Sequence, residues 1–209
     1  MVKDIPLFPL NLVVFPREEL NLHIFEPRYK QLINDCLLTK TTFGIPSYVE
    51  TRIEYGTEVK IVEVSKLYED GRMDIKTSGL RIFKVLDFQN PWDTKQYAGG
   101  PVELVECIDD TDASKAIRIV ELCRELFEWL HMQEEIGLGE TAVMYDVIHK
   151  IGLKPEEEYQ LLKMSSESER QSYVINHLEN LIPALERAEK AKEKIRMNGH
   201  FKHFDPLKF

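Results

Sequence analysis

Cysteine is scarce in this chain, and the few cysteines present are not arranged for disulfides. Cys36, Cys107 and Cys123 are the only three in 209 residues. An odd number of cysteines in unrelated sequence contexts argues against a disulfide-stapled secreted scaffold and favours free thiols in a reducing compartment. We therefore predict a cytoplasmic protein whose cysteines lie in the core.

Long apolar runs are also lacking. No stretch approaches the roughly 18 apolar residues of a membrane span, and the start of the chain has no apolar run of the kind that a secretory signal needs. The chain is acidic instead, with 36 Asp and Glu residues against 27 Lys and Arg and a formal net charge of −9. Such a charge repels nucleic-acid phosphates unless a basic patch compensates. We expect no membrane partner and do not favour a nucleic-acid partner.

Catalytic motifs are missing as well. The sequence contains no G-x-x-x-x-G-K-[ST] phosphate loop, no G-x-S-x-G nucleophile elbow and no H-E-x-x-H metal helix. We predict a protein that is not an enzyme, with no catalytic residues, no cofactor and no metal.

Weaker constellations have functional and structural interpretations, and we prefer the structural ones. Glu26 and Arg28 could be a carboxylate with its clamp, but such a pair at a strand–helix junction usually ties local groups together. His23 is expected to be a surface or packed residue, and Trp129 a core residue; Trp92 and Trp129 could also anchor a partner. A metal at the C-terminus would use the following side chains, which lack cysteine partners: His200, His203 and Asp205.

The densest signal lies between Pro6 and Tyr29. Apolar residues alternate over 10–14 and again over 20–24, which predicts two short strands on either side of a turn. Several prolines here lack a ladder donor, so we expect the first strand to lie at an edge or to follow an irregular path. Pro27 suits the first position of a helix, and apolar residues then recur at helical spacing: Tyr29, Leu32, Ile33, Cys36 and Leu37.

Short strands are predicted to continue as far as Cys107. A change of phase in the apolar pattern indicates a β-bulge at Ile61–Val62, and Asp70-Gly71 is typical of a tight hairpin. The predicted strands cover 42–48, 58–66, 73–77, 80–88 and 97–107. Several short strands with one helix favour a small, partly closed barrel.

Helical spacing dominates from Asp109 onward. The acidic run at 109–112 offers an N-cap and marks the subdomain boundary. Further helices are predicted after it, including a short one over 156–164 and a last long helix that begins at a Ser166–Glu169 capping box and is kinked at Pro183. We therefore divide the chain into a β-rich subdomain (1–108), a helical subdomain (109–199) and an aromatic tail (200–209).

The motifs PLFPL, VVFP and LNLHIFEPRY resemble the signature of the Lon N-terminal domain, the substrate-binding domain of ATP-dependent Lon proteases of peptidase family S16. Arg17 stands where members of that family commonly carry glycine. The resemblance continues at Phe43-Gly44-Ile45, Gly71-Arg72, Gly79–Ile82, Gln96-Tyr97 and LLKMSSESER. The residues that carry its structural signature are Pro9, Phe15, Pro16, Phe25, Glu26, Pro27, Arg28, Tyr29 and Gly44.

The resemblance implies an α+β fold in which a PUA-like pseudo-barrel with one helix precedes a helical bundle ending in a long helix. It also implies a function, a stand-alone, non-catalytic module that binds unfolded or tagged polypeptides without the ATPase and serine–lysine protease domains of Lon. Two alternatives stay open. One is a PUA-like RNA-binding module, and the other is an adaptor in a protein-quality-control complex, as the Lon domain of cereblon is.

The expected partners are unfolded or partly folded polypeptides, together with a separate ATP-dependent protease or chaperone; weak homo-oligomerisation is a further alternative. Two surfaces are candidates for client binding. One is a groove between the two subdomains. The other is a sheet edge left open by the proline-rich first strand, to which a client could add a strand.

Overall fold

The computed structural model describes residues 1–49, 53–131, 145 and 147–199. They form a mixed sheet of six strands with four α-helices and a short 3-10 helix at Ile148–Lys150. The α+β class and the long last helix are as predicted. The elements are β1 (Val2–Leu7), β2 (Glu19–Ile24), α1 (Pro27–Thr39), β3 (Phe43–Pro46), β4 (Tyr55–Leu67), β5 (Met73–Val85), β6 (Ala98–Leu104), α2 (Ala113–Trp129), α3 (Pro155–Lys163) and α4 (Glu167–Gly199).

The sheet closes on itself. Its strand order is β2-β5-β4-β3-β1-β6, and β6 returns to pair with the end of β5. Closure depends on the length of β5, because residues 73–78 pair with β2 while residues 83–85 pair with β6. Five strands thus form a ring and β2 lies outside it, which confirms the predicted pseudo-barrel.

Helix α1 covers one side of this ring. Pro27 is at its first turn, as predicted, and Lys40 ends it in the left-handed conformation. Its buried residues pack with the inward side chains of β3, β4 and β5 in one apolar cluster. Leu37 was predicted to belong to this stripe but is exposed. Four of the five predicted stripe residues are buried: Tyr29, Leu32, Ile33 and Cys36.

The strand predicted over residues 10–14 does not form, although the irregular path with little pairing that was the alternative is confirmed. Residues 10–14 form no strand and contribute only an isolated bridge from Leu10 to Ser47. The first strand is β1, which is one of the strands of the ring: it makes six register pairs with β6 and one with β3. Pro6 is tolerated there because the β3 side has a single register pair, Leu7 with Gly44, and demands few ladder donors.

The hairpin between β4 and β5 follows the prediction. Gly71 has a φ of +77°, and its N–H donates to the carbonyl of Tyr68 at 2.9 Å. The two strands predicted after it form one continuous strand, because Gly79 is a point of close approach and not a break. A Cβ there would lie 2.2 Å from the carbonyl oxygen of Phe15.

Contacts divide the chain into two compact units, Met1–Thr111 with Val143–Arg170, and Asp112–Ala142 with Gln171–Phe209. The sequence-based division at 108/109 did not foresee that residues 143–170 return to the β-rich unit. Within that unit the hydroxyl of the buried Tyr159, on α3, accepts a hydrogen bond from the N–H of Tyr55 at 3.1 Å. The tail 200–209 lies outside the described residues.

Capping chemistry at the helix starts agrees with the sequence. The carboxylate of Asp112 accepts hydrogen bonds from the N–H groups of Ser114 and Lys115 at the start of α2. At the start of α4, the hydroxyl of Ser166 accepts from the N–H of Glu169 at 3.1 Å. The kink at Pro183 stays a prediction. No helix in the described part of the chain is both long enough and apolar enough to cross a membrane.

Candidate functional site

The outer half of β4, Lys60–Leu67, has a neighbour on one side only among the described strands, as does β2, which pairs with β5 alone. β3 pairs with β4 only over residues 56–59. Beyond that point β4 has β5 on one side and, among the described strands, none on the other. We call Lys60–Leu67 the free edge. Its backbone groups on the open side are available to a further strand.

Two β-bulges give the free edge an unusual period. Register with β5 shifts between Ile61 and Glu63 and again between Val64 and Lys66, so Val62 and Ser65 are extra residues. Each bulge resets the alternation of faces, which makes the pattern repeat every three residues. The sequence-predicted bulge at Ile61–Val62 is confirmed.

Because of the two bulges, the apolar and the charged side chains of the free edge lie on opposite faces of the sheet. Ile61, Val64 and Leu67 stand opposite Thr77, Ile75 and Met73, three of the buried residues of β5. They therefore form an apolar row on the inward face of the sheet. The charged residues Lys60, Glu63 and Lys66 stand opposite the outward residues Ser78, Lys76 and Asp74.

The apolar row runs past the end of the core. Ile61 packs against the core cluster, but Val64 is 38% exposed and Leu67 is 70% exposed. The bulge residue Val62 adds a further exposed apolar side chain. Exposed apolar groups beside unpaired backbone are typical of an interaction surface.

An aromatic cluster lies beside this surface, at the hairpin end of β4. Two cations make cation–π contacts with the ring of Tyr68: Lys66 Nζ lies 4.5 Å and the guanidinium carbon of Arg72 lies 5.1 Å from its centroid. The ring of His23 lies 5.9 Å from that of Tyr68 and 6.0 Å from that of Phe25. Phe25 is 59% exposed and adds apolar area to the surface.

Asp74 satisfies the polar atoms of this cluster. One of its oxygens lies 2.5 Å from His23 Nδ1, and the other accepts from the hydroxyl of Tyr68 at 2.8 Å. These bonds, that of His23 first, hold the pKa of the Asp74 carboxyl below its ordinary value. Because these polar groups bind each other, the exposed ring of Phe25 is the main apolar group that the cluster leaves to solvent.

The hairpin arm is electrically balanced. Residues 60–76 carry four basic and four acidic side chains. The rest of the chain carries the whole net charge of −9. A neutral arm on an acidic protein offers little attraction to phosphate groups and suits apolar and hydrogen-bonding contacts better.

The signature residues lie mostly in the framework of the pseudo-barrel. Phe15 and Tyr29 are buried, and a Cβ at Gly44 would come within 3.0 Å of three core side chains. Phe25 differs, because it is exposed within the aromatic cluster. Pro9, Pro16, Glu26, Pro27 and Arg28 occupy the loop after β1, the turn before β2 and the start of α1.

Glu26 and Arg28 form the predicted ion pair, with Nε of Arg28 2.9 Å from the carboxylate. The side chains are 38% and 42% exposed, however, so the pair is solvated and not the desolvated clamp on which a large stability effect would depend. The guanidinium also lies 4.5 Å from the centroid of the Tyr29 ring. The pair fastens the start of α1 without contributing to the candidate surface.

The remaining candidates are not among the residues of this surface. Trp92 packs against the core cluster and Trp129 is half-buried at the end of α2. Cys36 and Cys123 are buried, and burial raises the pKa of each thiol to about 11. The core prediction was wrong for Cys107, which follows the end of β6 and is exposed.

The described residues contain no group of three or more His, Cys, Asp or Glu side chains arranged to hold a metal. His200, His203 and Asp205 lie outside the described residues.

The sequence did not reveal a pocket of about 210 Å³ beside α1. Asp35 accepts hydrogen bonds there from Lys95 Nζ and from the hydroxyl of Tyr97, both at 2.8 Å. The hydrogen bond from Lys95, followed by that from Tyr97, lowers the pKa of Asp35. These three groups satisfy one another, so the pocket presents no free charge for a ligand.

The free edge was also missed, although its sequence carries a signal. Lys60, Glu63 and Lys66 recur every third residue, which fits neither a regular strand nor a helix. The apolar pattern does not show where β3 pairs with β4, so the absence of a β3 partner beyond Val59 could not be predicted from it.

Known proteins resemble this chain over most of its length. Residues 4–180 match the family model for the ATP-dependent protease La (LON) substrate-binding domain. A Lon N-terminal domain protein from Xanthomonas campestris superposes with a TM-score of 0.65 at 24% identity, covering 83% of this chain and 98% of its own. The N-terminal domain of Mycobacterium avium complex Lon protease gives 0.64 at 16% identity, covering 85% and 98%.

A curated relative is more similar in sequence over a shorter region. A LON peptidase N-terminal domain and RING finger protein of Schizosaccharomyces pombe is 30% identical in an alignment 105 residues long that covers 41% of this chain. The match spans only 21% of that relative's length. The structural likeness shows the fold, and the family match over residues 4–180 shows the family: this chain belongs to the Lon substrate-binding domain family.

Proposed function

We propose that this protein is a non-catalytic module that binds unfolded or tagged polypeptides. The observation that carries the proposal is the exposed apolar surface formed by the free edge and the aromatic cluster, in a chain that belongs to a substrate-binding family. Leu67 and Phe25 are large apolar side chains in solvent, and unfolded polypeptides expose the same kind of side chain.

The chemistry of the chain supports binding without catalysis. Neither a phosphate loop nor a nucleophile elbow occurs in the sequence. The ionisable clusters that the structure describes are internally paired, as in the contacts of Asp74 with His23 and Tyr68. We expect the purified protein to show neither ATPase nor peptidase activity.

The test is a titration with a fluorescently labelled, permanently unfolded protein, such as reduced and carboxymethylated lactalbumin, followed by fluorescence anisotropy. We expect saturable binding with a Kd of about 1–100 μM, because ordering a flexible client costs several kcal/mol. The same protein in its native, disulfide-bonded form is the control and should bind at least tenfold more weakly. Equal affinity for both forms, or no saturation with either, would contradict the proposal.

The RNA-binding alternative is tested in the same experiment. A labelled single-stranded RNA takes the place of the unfolded protein at 50 mM and 200 mM salt. The acidic chain and the balanced arm lead us to expect no saturable binding at either concentration. Tight binding that weakens steeply with salt would favour the RNA-binding module instead. The groove between the subdomains stays a prediction.

A further inference from the structure

We propose that clients bind at the free edge by adding a strand to the sheet. An extended client segment pairs its backbone with Lys60–Leu67. It becomes the neighbour that β4 lacks beyond Val59, the last residue of β4 that pairs with β3. This inference rests on the proposed function and adds to it the surface, the binding mode and the chemistry of the segment recognised.

The first argument is the backbone. Over eight residues β4 is hydrogen-bonded to β5 on one side only, and the described chain places no strand, loop or helix end in hydrogen-bonding contact with the other side. An added strand satisfies these donors and acceptors whatever its side chains are. Affinity that comes from backbone pairing is tolerant of sequence, as a receptor for many unfolded chains requires.

The second argument is the row of apolar side chains. Val64 and Leu67 extend the inward face of the sheet beyond the core. A client strand at the free edge would place every second side chain next to them. The segment that fits therefore has apolar residues at alternate positions, which is the pattern of strands that unfolding exposes.

The third argument is charge. On the outward face the free edge presents Lys60, Glu63 and Lys66, two cations and one anion. A client strand that carries a carboxylate on its outward face gains an opposite-charge neighbour across the strands. The preferred segment is thus apolar on one face and mildly acidic on the other.

The bulges favour a flexible occupant over a second copy of this chain. Two bulges within eight residues twist the edge away from a flat strand, and charged side chains on an edge discourage pairing between identical folded sheets. A folded second copy brings a rigid edge with the same bulges. An unfolded client adjusts its backbone to the twist as it binds, so we assign the edge to unfolded chains.

The decisive measurement is amide hydrogen exchange on the full chain, with and without saturating reduced, carboxymethylated lactalbumin. Backbone pairing should slow exchange within Lys60–Leu67 by at least about tenfold, because each new hydrogen bond must open before exchange occurs. The amides of α2, at Ala113–Trp129, serve as the control segment and should be unchanged. A surface that used side chains alone would leave the exchange of the free edge as it is.

Two substitutions supply an independent readout in the anisotropy titration. Val64→Glu and Leu67→Glu place a charge in the apolar row and should each weaken binding by about tenfold. Ile117→Glu, on α2, changes an apolar residue that is not part of the free edge and is about as exposed as Leu67, and it should change the Kd by less than twofold. If Val64→Glu fails to fold, the Kd of Leu67→Glu alone tests the inference. Leu67 is the more exposed of the two side chains, so a charge there disturbs the fold less.

The outcomes separate the inference from the proposed function. Slower exchange at 60–67 together with weaker binding by Leu67→Glu supports strand addition. Saturable binding with unchanged exchange at the free edge overturns strand addition and leaves polypeptide binding intact. Slowing at 60–67 that depends on protein concentration without client assigns the edge to a second copy and also overturns the inference. No binding by the wild-type protein overturns both.

Discussion

His149 and Glu18 are 131 residues apart in the chain, and Nε2 of the histidine lies 3.1 Å from the carboxylate of the glutamate. The other ring nitrogen, Nδ1, lies 2.8 Å from the carboxylate of Glu158. Glu18 also accepts a hydrogen bond from the N–H of Phe15, whose buried ring stacks on Tyr145 at 5.1 Å. One imidazole thus joins the turn before β2 to the segment that returns after residue 143.

The two carboxylates set the charge of His149. Its hydrogen bond to Glu158, then that to Glu18, raises the pKa of His149 to about 10, against a smaller opposing effect of burial. In the unfolded chain the pKa of histidine is about 6.5. The stabilisation by this ion triad is therefore complete below about pH 6.5 and is lost as the pH rises toward 10.

We predict that His149→Gln lowers the free energy of unfolding by about 2 kcal/mol at pH 6, a value that allows for solvent screening of a side chain 37% exposed. The difference from wild type should shrink to less than about 0.5 kcal/mol by pH 10. Urea denaturation of both proteins across this range measures it, and other titrating groups cancel in the difference.

Glu18→Gln is the matched control for the histidine, because it removes one of the two carboxylates. Its effect at pH 6 should be non-additive with that of His149→Gln in a double-mutant cycle. Additive effects, or a difference between His149→Gln and wild type that is constant from pH 6 to pH 10, would contradict the role assigned to the triad.

Glu58 is a buried charge, with a side chain only 2% exposed. It accepts hydrogen bonds from Lys3 Nζ and Thr42 Oγ1, each at 2.5 Å, and from the guanidinium of Arg81 at 3.0 Å. Burial alone would raise the pKa of Glu58, but these hydrogen bonds and charges together hold it below its ordinary value. Its stabilisation is present above about pH 4.3 and is lost as the pH falls through the lowered pKa.

We predict that Glu58→Gln costs about 2 kcal/mol of stability at pH 7, because Lys3 and Arg81 lose their common partner. The carboxylate is buried, but Lys3 is 25% and Arg81 is 55% exposed, so water partly compensates the two cations. The cost should fall as the pH drops below 4. Glu63→Gln is the control: its pair with Lys76 is exposed at 3.7 Å, so the change should cost less than about 0.5 kcal/mol. Chemical denaturation at pH 7 and pH 3.5 checks both values, and similar costs for the two variants would refute the prediction.

Local chemistry was readable from the sequence. Pro27 set the start of α1, Asp70-Gly71 set the hairpin, and the change of phase at Ile61–Val62 located a bulge. In each case the signal and the structure it specifies lie within a few residues. The family signature then gave the architecture, because Pro9 to Tyr29 is long and specific.

Features that depend on distant partners were not readable. Val2–Leu7 forms the strand β1 because it pairs with β6, which lies far along the chain. Its own sequence contains Pro6, which lacks a backbone donor and so argues against a position between two paired strands. The free edge exists because β3 begins only at Phe43, opposite Val59, while β4 continues past Val59. His149, Glu18 and Glu158 come together only after residues 143–170 return to the first unit.

The ion pair of Glu26 and Arg28 shows how solvent exposure lowers the contribution of an ion pair to stability. A desolvated pair would make Arg28→Ala cost several kcal/mol, but both side chains are about two-fifths exposed. We predict a loss of less than about 1 kcal/mol. Thermal unfolding of Arg28→Ala and Arg28→Lys measures it. A loss above about 2 kcal/mol would mean that the pair is desolvated in solution.

The turn between Phe15 and β2 provides the last prediction. Arg17 has a φ of +70°, in the left-handed region that glycine adopts without strain, and its N–H donates to the carbonyl of Gly79 at 2.9 Å. A second hydrogen bond, from the N–H of Gly79 to the carbonyl of Glu18, also fastens the turn to β5. This geometry explains why a glycine would suit the position.

We predict that Arg17→Gly stabilises the protein by about 1 kcal/mol relative to Arg17→Ala, since alanine keeps the Cβ that makes this conformation costly. Both variants remove the arginine side chain and its interactions, so the comparison isolates the backbone. Urea denaturation of the two variants measures the difference. If alanine and glycine are equally stable, or alanine is the more stable, the turn in solution does not hold residue 17 in the left-handed conformation.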